Sequence, residues 1–78
     1  MNLNLKLLND KIKEINIPLS TLSEKMGISR QTLYLKLTGK RRLKMSEANN
    51  LSEILRLTNS ERTSIFFDSE VDTFTNLN

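Results

Sequence analysis

The sequence predicts an all-α fold, a compact bundle of five short helices. Three observations predict it. Through the first 67 residues, apolar side chains recur three and four positions apart, as they do along one face of a helix. The breaks between these stretches carry residues that end or start helices: Pro18, Gly27 followed by Ser29, Gly39, and Thr58 three positions before Glu61. At 78 residues and 37% hydrophobic, the chain can bury one modest core, which short connections between short helices would build.

Leu3, Leu7, Leu8, Ile12 and Ile15 share one helical face, opposite Lys6, Asn9, Asp10, Lys13 and Glu14, and predict a first helix over residues 3–15. Asn16-Ile17-Pro18 breaks it, since proline cannot continue a helix but suits the start of the next. The second helix is expected over 18–26 and the third over 30–38, closed by Gly39. A polar connector follows, Lys40-Arg41-Arg42-Leu43-Lys44, in which only Leu43 suits a core. Ser46 is a candidate cap for a fourth helix with Ala48, Leu51, Ile54 and Leu55 as its apolar stripe. Thr58-Asn59-Ser60-Glu61 matches a capping box and predicts a fifth helix over 59–67, burying Ile65 and at least one of Phe66 and Phe67. Residues 1–67 thus form the folded domain, and residues 68–78 an acidic tail without helical period.

The middle of the chain is the most specific. Leu22 and Met26 lie on one face of the second helix, and Leu33 and Leu37 on one face of the third. Between them, Gly27 can adopt the left-handed conformation that ends a helix, and Ser29 can cap the next. Ile28 is spaced to pack on Leu33 as a hydrophobic staple. This is the pattern of a helix-turn-helix, whose second helix commonly enters the DNA major groove.

Composition removes several function classes. With no cysteine and no histidine, disulfides, thiolate metal sites and Cys or His catalysis are absent, and the scattered serines and carboxylates suggest no catalytic constellation. Neither enzyme activity nor a metal or other cofactor is expected. The amino terminus, MNLNLKLLNDKIKEI, has no apolar run long enough for a signal or a membrane span, so no membrane partner and a cytoplasmic location are expected. Charge is unevenly placed. Residues 1–56 hold eleven of the twelve Lys and Arg against five of the nine Asp and Glu; residues 57–78 hold Arg62 against Glu61, Asp68, Glu70 and Asp72. A basic body suits a polyanion partner, although a solvated surface has the same composition.

The segment LSEKMGISRQTLYLKLTGKRR resembles the phage repressor and Cro family of helix-turn-helix regulators, over approximately residues 3–67. Leu22, Gly27, Ile28, Ser29, Leu33 and Gly39-Lys40 stand where that family has its core leucine, turn glycine, staple, cap, core aliphatic residue and closing Gly-Lys. Three positions depart from the pattern. Leu19 replaces a glutamine that in many members touches phosphate, Ser23 replaces the usual alanine, and Lys36 occupies a position that is often aliphatic, with Leu37 expected to supply the packing.

On a helical wheel starting at Arg30, Leu33 and Leu37 point to about 300° and 340°, whereas Gln31, Tyr34, Leu35 and Thr38 fall between about 40° and 140°. That second set is the candidate reading face. Gln31 suits adenine N6/N7, Tyr34 a phosphate or a base edge, Leu35 a thymine methyl, and Arg30 either guanine or phosphate. A small rotation of the helix would instead bury Leu35. Lys40, Arg41, Arg42 and Lys44 would neutralise phosphates just past the helix, while Lys25 and Lys36 are weaker candidates that suit a solvent-facing position. The resemblance implies a sequence-specific regulator of phage or mobile-element type, reading double-stranded DNA with the third helix and acting as a homodimer. The dimer surface would come from Phe66, Phe67, Val71 or Phe74. An alternative of another class is an antirepressor, which would use Tyr34 and Leu35 to bind a partner phage repressor, since tyrosine and apolar residues are interface formers.

Overall fold

In a computed structural model, residues 3–66 are described, and they form five helices: α1 (Leu5–Ile15), α2 (Leu19–Met26), α3 (Arg30–Leu37), α4 (Met45–Ile54) and α5 (Asn59–Phe66). Asn4 caps α1, its side-chain oxygen accepting from Leu7 N–H at 3.0 Å; the helix therefore starts two residues later than the leucine spacing alone suggests. Asn16 closes it in the left-handed region, at φ 65°.

Three helices end in one geometry. After α2, Gly27 N–H donates to Glu24 O and Ile28 N–H to Ser23 O; after α3, Gly39 N–H donates to Lys36 O and Lys40 N–H to Leu35 O. After α4, Arg56 N–H donates to Glu53 O and Leu57 N–H to Ser52 O. Each is a Schellman pair around one left-handed residue, with φ 72° at Gly27, 83° at Gly39 and 54° at Arg56. At α5 the capping box is complete: Thr58 Oγ1 accepts from Glu61 N–H at 3.1 Å, and the Glu61 carboxylate accepts from Thr58 N–H at 2.9 Å.

Every helix contributes to one core. Leu8 and Ile12 of α1, Leu22 of α2, Leu33 and Leu37 of α3, Ala48 and Leu51 of α4, and Ile65 and Phe66 of α5 are buried, with Leu43 and Leu55 from the connections. The helix α2 packs on α3 and α4, while α1 packs on α3 and α5. Two long-range bonds lock the amino terminus in place: Asn4 N–H to Ile65 O at 2.7 Å, and Asn9 Nδ2 to Leu37 O at 3.1 Å.

Three expectations need correction. Phe66 is a core residue with no exposed area, so it cannot form part of a dimer surface; its burial contributes roughly 1.5–3 kcal/mol. Phe67, Val71 and Phe74, together with the acidic tail, lie outside the described residues. The cap of α4 is Lys44, not Ser46, because Glu47 at the third helical position reaches back to Lys44 N–H at 2.8 Å, and that bond needs no side-chain acceptor at the cap. Lys36 does not face solvent: it is 5% exposed.

Candidate nucleic-acid interface

The turn between α2 and α3 forms as its sequence dictates. A Cβ at Gly27 would meet no atom within 4 Å, so the left-handed backbone alone selects glycine there. Ser29 then caps α3, its hydroxyl oxygen accepting from Thr32 N–H at 3.0 Å. Ile28 is half-buried against the core, and Leu33 is fully buried. Ser23 is buried and donates its hydroxyl to Ser20 O at 2.9 Å, so its burial leaves no unpaired hydroxyl.

With Leu33, Lys36 and Leu37 buried, the opposite side of α3 faces outward. Arg30, Gln31 and Tyr34 are exposed, Tyr34 by 53%. Leu35 is half-buried, a position between the reading face and the core. Thr38 is exposed but follows the last residue of α3, and its hydroxyl donates to Tyr34 O at 2.9 Å. Leu19, at the start of α2, is half-buried and lines an open cleft of about 490 Å³ with Arg30, Gln31 and Tyr34. Leu19 thus places apolar surface beside the tyrosine.

The connector after α3 is held by its backbone and not by its charged side chains. Leu35 O accepts from both Lys40 N–H (2.9 Å) and Arg41 N–H (3.1 Å), Arg42 O accepts from Lys36 Nζ (3.0 Å), and Leu43 is buried. The side chains of Lys40, Arg41, Arg42 and Lys44 are all exposed, and among the described residues none of them forms an ion pair. Together with Leu3, Leu5 and Met45 they border a bowl of about 800 Å³.

Lys36 organises this loop, a role that hydropathy patterning does not signal. Its ammonium donates to Arg42 O and, at 2.9 Å, to Glu47 Oε1, the same oxygen that accepts from Lys44 N–H. One buried ion pair thus joins α3, the middle and the end of the connector, and the start of α4. Burial pushes the Glu47 carboxyl toward its neutral form, but the Lys44 N–H and then the Lys36 ammonium outweigh it and hold the group below its ordinary value. Between α1 and α5, the Lys11 ammonium meets Glu61 at 2.7 Å; that hydrogen bond holds Glu61 below and Lys11 above their usual values.

Among the described residues, no three acidic side chains gather as a metal site, and no helix is long and apolar enough to cross a membrane. No protein-family model, curated protein or solved structure matches this chain.

Proposed function

We propose that the chain is a sequence-specific DNA-binding regulator of the phage repressor and Cro type, without catalytic activity, that reads the major groove with α3. The observation that carries this reading is an exposed outer face on α3 followed directly in the chain by four exposed cations. Arg30, Gln31 and Tyr34 on the outer face of α3 run into four exposed cations on a loop whose backbone is fixed in place. Eight helical residues span about 12 Å, close to the width of the major groove, so the face of α3 is sized for a few base contacts. Gln31 offers a paired donor and acceptor for adenine, and Arg30 at the helix start reaches guanine or phosphate. Few contacts per helix make a homodimer on two half-sites the matching arrangement.

A salt titration of binding to random duplex DNA, followed by selection of preferred sequences, tests this. A steep fall of affinity with salt is expected, with a preference that relaxes in Gln31→Ala. Salt-independent or absent binding would overturn the reading.

The second reading, an antirepressor that binds a partner repressor, has one observation in its favour: the exposed Tyr34 ring stands beside half-buried Leu19 and Leu35. In that case Tyr34→Ala would cost on the order of 2 kcal/mol or more in binding the repressor, while Gln31→Ala would matter less.

A further inference from the structure

The cleft at the start of α2 has polar and apolar walls. Arg30, Gln31 and Tyr34 line it from α3, and Leu19 lines it from α2. Arg30 and Gln31 can hydrogen-bond a base edge, whereas the Leu19 side chain has no donor or acceptor to offer a base or a phosphate. Leu19 is half-buried: it packs against the core and also borders the cleft. That packing fixes where its apolar surface lies, in the same cleft as Gln31 and beside the Tyr34 ring, which is 53% exposed. Leu35, the other leucine on this edge of the molecule, does not line the cleft.

Of the groups that base pairs present in the major groove, one is apolar, the C5-methyl of thymine. An apolar wall beside a glutamine therefore matches a thymine methyl beside an adenine. We infer that Leu19, backed by the Tyr34 ring, receives the methyl of a thymine within one base pair of the adenine that Gln31 holds. The inference rests on the DNA-binding reading and adds to it a specificity-determining residue on α2, outside the recognition helix.

Uracil in place of thymine removes the methyl and keeps every hydrogen-bonding group of the pair, so it isolates the contact. On the duplex selected from random sequence, each thymine is replaced by uracil in turn and affinity is measured with the full-length protein. A replacement within one base pair of the adenine whose preference Gln31→Ala relaxes should weaken binding roughly fourfold, as loss of one buried methyl contact does. In Leu19→Ala the thymine and uracil duplexes should bind equally at that position. Their ratio is taken on one protein, so any loss of stability in the variant cancels. A ratio unchanged by Leu19→Ala overturns the inference while DNA binding stands. So does the lack of a methyl-sensitive thymine near that adenine, or a methyl effect that Leu35→Ala abolishes and Leu19→Ala does not. Absence of binding to any duplex overturns the DNA-binding reading, and this inference with it.

Discussion

Lys36 shows how one side chain can set the shape of a loop that it does not belong to. Its ammonium is withdrawn from water, and three features offset that cost: the Glu47 carboxylate, the Arg42 carbonyl and the short reach from α3 to the connector. Removing one partner of such a pair leaves the other charge poorly solvated, so Lys36→Ala should lose about 2–4 kcal/mol in urea unfolding. Joint replacement, Lys36→Met with Glu47→Leu, should recover most of that loss, because an apolar pair of similar size needs no compensation. The connector of this double variant would nevertheless lose its anchor at Arg42 O. The pair also has a pH signature. Glu47 has a folded pKa below its unfolded one, so it contributes stability above the ordinary glutamate value of about 4.3, and this is lost as pH falls through the folded value. Melting temperatures taken across the acid range should fall less steeply in Glu47→Gln than in the parent protein. Glu61 adds an acid-side loss of the same sign, whereas the raised Lys11 contributes stability that is lost only as pH rises through its folded value.

Helix ends explain why some elements are legible in the sequence and others are not. Ser29, Gly27 and the Thr58–Glu61 box each signal their role within three residues of sequence, and all three form as expected. Arg56 ends α4 in the same left-handed geometry as the two glycines, yet nothing about an arginine announces it. Lys44 caps α4 through a carboxylate three residues on, whereas cap preferences point to the nearest hydroxyl, Ser46. The burial of Lys36 is hidden for a related reason. Hydropathy assigns a lysine to the surface, and its partner lies eleven residues away on another helix. Likewise, spacing cannot choose between Phe66 and Phe67, and the burial of Phe66 follows from how α5 packs on α1. Most of the exposed face of α3 is legible because the positions of Leu33 and Leu37 fix the rotation of the helix; the half-burial of Leu35 is not, since a position between two faces is decided by a small rotation that spacing does not specify. The turn itself permits a sharp test. With open space around Gly27, only the backbone conformation opposes a side chain, so Gly27→Val should cost about 1 kcal/mol or more and lower the melting temperature by several degrees. Gly27→Asn should cost distinctly less, since asparagine tolerates the left-handed region. Equal losses in the two variants would mean that crowding, not φ, governs the site.

At the scale of the whole molecule, acidic partners are shared unevenly among the cations. The ion pairs Lys6–Asp10, Lys11–Glu61 and Lys36–Glu47 neutralise cations on α1 and inside the fold, while Arg30 and the connector cations stand without acidic partners among the described residues. Lys13, Lys25, Arg56 and Arg62 likewise form no ion pair among those residues, so what sets the connector apart is four exposed cations within five positions. Neutralising the connector isolates their contribution. Lys40→Ala, Arg41→Ala and Arg42→Ala combined should leave folding nearly unchanged, because the loop is held through backbone groups, Leu43 and Lys36. Affinity should fall by a similar factor on every duplex sequence, and the plot of log affinity against log salt should flatten by about 0.9 for each phosphate that is no longer neutralised, up to nearly three units. Sequence preference should survive, since Arg30 and Gln31 are untouched and phosphate contacts position the protein without reading bases. An unchanged salt slope would mean that these cations do not meet phosphate. Loss of the preference at an unchanged slope would instead make the connector a base reader, and α3 would no longer be the element that selects the sequence.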